Sequence, residues 1–373
     1  MKTLTALLAS LAGFALTGCE KPPTPPPHPS EETKAAPQKP TATNAPAESH
    51  LPASDQLSLF CWSEYIPQAV IDQFAKETGI QVTVANFGSN EEMLAKLMAG
   101  GKNYDIIQPS GYVLEALVKD NLLHPIDPAK IPNLKNIAPA FLGKNSDPDN
   151  RFSIPYMAGT VGIVVNTDLV KDDIRGYSDV FQERFNQRIV VLDDPREIVT
   201  WGFLTQGTPI NEVTDENLAK VRPLLAKWLP LVKVFDSDSP KTALLNGDAS
   251  LGIVWGGEAA ILLNEDKKFR WVLPAEGTHL FIDSLAIPKS AQNVENAEAF
   301  MNFILRPDVS KRISEAFPYL NPNLAAQKLL TPQQLANPAS FPTDEDIQKM
   351  QTVEEIGPQA SKIDELVTAL KAQ

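Results

Sequence analysis

From Leu57 onward the chain alternates short apolar runs with amphipathic stretches, the pattern of an α/β protein. Leu57-Ser58-Leu59-Phe60 reads as a strand, followed by a turn through Trp62 to Tyr65. Pro67 opens a helix that carries Val70, Ile71 and Phe74 on one face, with Gly79 where a helix-ending glycine belongs. Gln81 to Ala85 is the next strand. Ser89 and Glu92 have capping-box spacing for a helix with Met93, Leu94 and Leu97 inward. Asp105-Ile106-Ile107-Gln108 predicts a third strand, ending at Pro109-Ser110-Gly111-Tyr112. This βαβαβ order implies a parallel or mostly parallel sheet. Ligands of such sheets bind beyond the carboxyl ends of strands, which points to Trp62, Ser63, Glu64, Tyr65, Ser110 and Tyr112.

A second alternating unit follows. Ile154 to Val165 is apolar and punctuated by glycine, and could carry the chain between two lobes. Ile189 to Leu192 reads as a buried strand running into Asp193-Asp194-Pro195-Arg196-Glu197. Ser250 to Trp255 and His279 to Ile287 are further strands, the latter with Asp283 inside an apolar run. The C-terminal third predicts helices over Ala297 to Leu305, Val309 to Phe317 and Ser361 to Ala372.

The first 53 residues follow other rules. Met1-Lys2 precedes an apolar run from Leu4 to Leu16, too short for a membrane span of about 20 residues and typical of a secretory signal. It ends in Leu16-Thr17-Gly18-Cys19, which resembles a bacterial lipobox, with cleavage before Cys19 and lipid on that cysteine. Ten prolines fall within residues 20–53, with Leu51 the one large aliphatic. Such a segment buries too little to offset its ordering entropy and is expected to form an extended tether. The expectation is a lipid-anchored, extracytoplasmic protein, with signal 1–18 and anchor plus tether 19–54.

Composition narrows the chemistry. With 373 residues the chain is long enough for two lobes. Its 33 Lys+Arg against 46 Asp+Glu leave no basic surplus for nucleic acid. Cys19 and Cys61 cannot make a disulfide framework, and if Cys19 is lipidated Cys61 has no intrachain partner and stays a free thiol. Only His124 and His279 lie outside the tether, and no P-loop, nucleophile elbow, dinucleotide fingerprint or H-E-x-x-H occurs. No catalytic, metal or cofactor assignment follows. Aromatic residues and carboxylates at strand ends remain, which is binding-site chemistry.

Six segments in order resemble the spermidine/putrescine-binding protein family, the substrate-binding subunits of bacterial polyamine ABC transporters. They are Trp62-Ser63-Glu64-Tyr65, Pro109-Ser110-x-Tyr112, Asp194-x-x-Glu197, Phe235-Asp236-Ser237-Asp238, Leu251-Gly252-x-x-Trp255 and Asp283-Ser284-Leu285-Ala286-Ile287-Pro288. The resemblance implies a two-lobed type II periplasmic-binding-protein fold with ligand between the lobes. Lobe 1 would span 55–160 plus 283–327, and lobe 2 would span 161–282 plus 328–373. Trp62, Tyr65, Tyr112, Trp255 and Phe281 would wall a polyamine. Glu64, Asp194, Glu197 and Asp283 would meet its ammonium groups, with Ser63, Ser110 and Ser237 as smaller hydrogen-bonding residues. A polyamine alternates CH₂ runs with cations, so aromatic faces and spaced acceptors suit it.

The implied partners are a polyamine, a permease and, through Cys19, a membrane. A membrane signalling partner in place of the permease is the alternative. Two positions depart from the family: Phe281 stands for a second tryptophan, and Val353 for a glutamine. Asp194-Pro195-x-Glu197 also has the form of a helix start, Trp62 and Trp255 could be core, and Glu64 could lie on a rim.

Overall fold

A computed structural model describes residues 54–99, 104–144 and 146–373. The expected signal, Cys19, and nearly all of the tether (residues 1–53) lie outside them. The chain runs β1 (Gln56–Trp62), α1 (Gln68–Thr78), β2 (Gln81–Phe87), α2 (Asn90–Met98), β3 (Ile106–Ile107), α3 (Gly111–Lys119) and β4 (Leu123–His124). Then come β5 (Ser153–Asn166), α4 (Tyr177–Val180), β6 (Ile189–Val191), α5 (Pro195–Thr205), α6 (Asp215–Trp228) and β7 (Val232–Phe235). After α7 (Lys241–Leu245), β8 (Leu251–Trp255), α8 (Gly256–Glu265) and β9 (Phe269–Val272), the long β10 (His279–Pro288) recrosses the molecule. α9 (Val294–Ile304), α10 (Pro307–Ala316), α11 (Leu324–Gln327), α12 (Pro332–Leu335), α13 (Asp344–Lys349), β11 (Gln351–Thr352) and α14 (Gln359–Lys371) complete it.

The strand order is β2-β1-β3-β10-β5-β8-β6-β7. β1 pairs in parallel with β2 and β3, as the βαβαβ pattern predicts. β6 likewise pairs in parallel with β7 and β8. Between these halves lie β5 and β10, antiparallel to each other. β5 also pairs with β8, and β10 with β3, so this central pair joins the two halves into one sheet.

Each half has its own core, because apolar strands covered by helices on both sides must bury two faces. Leu57, Leu59, Phe74, Ile106, Leu285 and Phe300 build one. Val161, Ile163, Val191, Trp201, Phe203, Val221, Ile253 and Leu366 build the other. Two packed α/β lobes sharing β5 and β10 leave a cleft between them.

Local structure follows the sequence pattern with small departures. Gly79 sits at φ 79° and its N–H bonds Ala75 O, closing α1. Ser89 Oγ accepts from Glu92 N–H at 3.1 Å, but the capping box is incomplete. Glu92 Oε2 accepts from Gly88 N–H (2.8 Å) instead, while its other oxygen holds Lys96. Leu94 and Leu97 are half-buried against the Phe60 cluster, not fully inward. His124 is a strand residue of β4, not a loop residue. The C-terminal third is not wholly helical, since β11 pairs in parallel with the start of β10.

Gly159 on β5 lies opposite Phe281 on β10, and the phenyl ring covers it. A Cβ there would stand 2.5 Å from Phe281 Cζ. Gly159→Ala is therefore expected to push the ring off its seat and destabilise the fold by about 1–3 kcal/mol. Urea denaturation checks this, and an unchanged midpoint would show that the ring moves without cost.

Candidate functional site

The cleft has a volume of about 450 Å³, within the range of about 300–1,000 Å³ for small-molecule sites. Eleven of the twelve residues expected from the sequence line it: Trp62, Ser63, Tyr65, Ser110, Tyr112, Asp194, Glu197, Ser237, Trp255, Phe281 and Asp283. Val353 lines it as well. Glu64 does not.

Asp283 sits in β10 where the register with β5 shifts, only 2% exposed. Its Oδ1 accepts from Ser110 Oγ (2.6 Å) and its Oδ2 from the Tyr65 hydroxyl (2.8 Å). Burial nevertheless pushes its carboxyl up to about 6, because two neutral donors only partly replace lost water. The Tyr65 phenol is driven well above its ordinary value by burial and then by the Asp283 charge. Asn90 braces the same wall. Its amide holds Ser110 Oγ (3.1 Å) and the Tyr112 hydroxyl (3.0 Å), and Tyr112 donates to Glu91 at 3.3 Å.

On the opposite lobe Asp194 does cap α5: its Oδ1 accepts from Glu197 N–H at 3.1 Å, with Pro195 at the first helical position. It lines the cleft too, so the two readings coexist. Burial, then the charges of Glu197 and Glu91, push its carboxyl up to about 7. Glu197 is 5% exposed, and its Oε1 lies 2.7 Å from His279 Nε2.

Aromatic faces line the rest. Trp255 donates Nε1–H to Ser237 O at 3.0 Å and meets Phe281 edge-on, with centroids 5.6 Å apart. Tyr319 packs against Tyr65 at 5.0 Å and near Phe281 at 6.3 Å. Trp62 is half-buried beside Phe87. Trp62 Nε1, Ser237 Oγ and Glu197 Oε2 are buried with no partner among the described residues. Buried polar atoms are normally satisfied, so these three call for polar ligand groups or water.

Two of the four expected carboxylates already have partners. Glu64 is exposed at φ 51°, and its Oε2 pairs with Lys241 Nζ at 2.5 Å across the lobes. Lys241 also holds Glu258 of α8 at 2.9 Å. Glu64, expected from the resemblance to meet a ligand ammonium group, is thus paired in this structure with an ammonium group of the chain itself. Beside this pair Ser63 Oγ donates to Asp238 Oδ1 at 2.7 Å, again between lobes. Glu197 is hydrogen-bonded to His279, and of the four expected carboxylates Asp283 and Asp194 have no basic side chain paired with them.

Sequence reasoning missed Asn90, Arg196, Lys241, Glu258, His279 and Tyr319. The rule that flagged Asp283, a titratable group in an apolar strand, applied equally to His279. No local signal marks Lys241 or Glu258, whose partnership is tertiary. Cys61 is buried and free, its thiol pushed up to about 12, which suits a packing role. Among the described residues no cluster of metal-ligating side chains occurs, and no helix is long and apolar enough to cross a membrane.

Seven carboxylates line the cleft against two permanent cations, Lys144 and Arg196. Two lobes joined by crossing strands around an acidic, aromatic cleft define a solute-binding protein of the type II periplasmic class. The chain belongs to the bacterial extracellular solute-binding protein family, whose model matches residues 69–343. It is accordingly a binding protein and not an enzyme.

It is 34% identical to the spermidine/putrescine-binding periplasmic protein of Salmonella typhimurium over 325 residues, 87% of this chain and 93% of that one. Among solved structures it resembles the spermidine/putrescine ABC transporter substrate-binding protein PotD of Streptococcus pneumoniae. That match has 33% identity and a TM-score of 0.72, covering 86% of this chain and 99% of the other. The TpPotD lipoprotein of Treponema pallidum matches with 26% identity and a TM-score of 0.75, over 85% and 100% of the two chains.

Lys241→Met would leave Glu258, itself pushed up to about 7 by burial, without its cation. The expected loss is about 3 kcal/mol, with the Lys241→Met, Glu258→Gln double variant recovering most of it. Chemical denaturation of both variants checks this, and a stable single variant would place the pair in solvent.

Proposed function

We propose that this protein captures a polyamine of the spermidine/putrescine class between its lobes, outside the cytoplasm, and delivers it to the permease of an ABC transporter. The acidic lining carries the reading: an alkyl polycation is the ligand whose charges and methylenes fit spaced carboxylates between aromatic faces. The names of the similar proteins from Salmonella and Streptococcus support the same ligand class. Asp283 and Asp194 anchor separate ammonium groups, and Trp62, Trp255, Tyr112 and Phe281 cover the chain between them. The lobes are 55–160 plus 283–327 and 161–282 plus 328–373. Cys19 carries a lipid and residues 20–53 act as a tether, a reading supported by the lipobox and by the similarity to a lipoprotein of Treponema.

Asp283→Asn is the most informative substitution, because it removes charge while keeping shape. Calorimetry with putrescine and spermidine is expected to show a loss of about 2–5 kcal/mol, larger than for Glu64→Gln, Glu197→Gln or Asp194→Asn. The empty protein should tolerate it. A carboxyl raised from 3.8 to about 6 by folding contributes stability that is complete below pH 3.8 and lost as pH rises through about 6. At higher pH the asparagine is relieved of that cost, so its melting temperature should match or exceed wild type. Wild-type affinity for Asp283→Asn would remove Asp283 from the site, and no binding of any polyamine to the wild type would remove the ligand class.

Cys19→Ser should yield a chain that is neither processed at that site nor held by membranes or detergent phase. Mass spectrometry of the full-length product checks this; an unmodified, water-soluble mature wild-type chain is the contrary result.

A further inference from the structure

Among the cleft carboxylates, Glu197 alone is paired with a histidine. Glu197 and His279 both line the cleft, 5% and 3% exposed, with Oε1 and Nε2 at 2.7 Å. The remaining polar atoms of the pair, Glu197 Oε2 and His279 Nδ1, are buried without partners among the described residues. An ionised carboxylate only accepts, so His279 Nε2 carries the hydrogen and a neutral ring leaves Nδ1 bare. The pair then has charge −1, and Oε2 is the atom free to take a donor from the cleft. A second proton on Nδ1 brings the pair to zero.

We infer that His279 is a positioning residue that makes the Glu197 end of the cleft a proton-gated cation subsite. Neutral His279 holds an anionic Glu197 ready for a ligand ammonium group; protonated His279 becomes the counter-charge of Glu197 itself. This deepens the polyamine reading and rests on it.

The surroundings permit such a gate. Asp194 and Arg196 face the pair from the start of α5, Tyr177 feels the Glu197 charge from α4, and Glu354 follows β11 into the cleft. Glu91 reaches this end from α2. The neighbouring strand residues Thr160, Val161 and Gln351 carry no charge. Arg196 opposes protonation of His279, but its guanidinium is held by Ile210 O (3.3 Å) and Asn211 Oδ1 (3.0 Å). Asp194 and Asp283 also gain protons as pH falls, and they weaken cation binding in any variant that keeps them. Only the difference between wild type and a His279 variant isolates the gate.

The size of the effect follows from linkage. A ligand cation beside an imidazole lowers its protonation midpoint by about one unit or more, so the protonated form binds about tenfold more weakly. Glutamine is the informative replacement: its amide can still donate to Glu197 but does not titrate.

The experiment is calorimetry of wild type and His279→Gln with putrescine and spermidine between about pH 8 and about pH 5.5. Affinities within about threefold are expected at the upper limit. Towards the lower limit wild type should lose about tenfold more than the variant. Superimposable pH profiles would overturn the inference while leaving polyamine binding intact. No polyamine bound at any pH would overturn the functional reading and this inference with it. In case His279→Gln does not fold, the His279 ring resonance of the wild type supplies a second measurement. Saturating putrescine should lower its titration midpoint by about one unit, and an unmoved midpoint overturns the gate.

Discussion

A carboxylate removed from water must be matched by a cation or by hydrogen-bond donors, and this requirement organises the whole cleft. Asp283 shows it most clearly. It is buried in β10 and held by two hydroxyls from the first lobe, Ser110 and Tyr65, which are braced in turn by Asn90 and by aromatic packing. Neutral donors orient the acid without neutralising it. Asp283 therefore stands in the cleft without a counter-cation.

The same arrangement ties ligand to fold. Asp283 lies where the β10–β5 register shifts, and these two strands are the central pair that joins the halves of the sheet. A charge bound there acts at the connection between lobes, while Asp194 at the start of α5 offers an acid from the far side. Hinge closure around a ligand is the usual motion of such molecules.

Not every acid is left for the ligand. Lys241 takes Glu64 and Glu258, joining the lobes with an internal ammonium group, and His279 shares Glu197. The chain's own cations thus hold acids at the edge of the cleft, and Asp283 and Asp194 stay without one. The aromatic faces beside them limit the water that would screen these charges.

Patterning along the chain was enough for the α/β alternation, the parallel βαβαβ start and the conspicuous acid of β10. These are local properties: apolar periodicity, proline and glycine punctuation, and the cost of one charge in an apolar run act over a few residues. Most site residues were legible for the same reason, because strand ends place them at the carboxyl edge of a sheet. What the sequence could not express is pairing across long separations. Glu64 and Lys241 are 177 residues apart, Glu197 and His279 are 82 apart, and Tyr65 and Asp283 are 218 apart. Whether an acid is free, shared or neutralised depends on a partner brought by the closing of two lobes, and no spacing encodes that. Residue types determined that acids and aromatic faces would meet in the cleft; the tertiary structure alone decided which carboxylates remain without an internal cation, because burial and pairing set the charge each one presents.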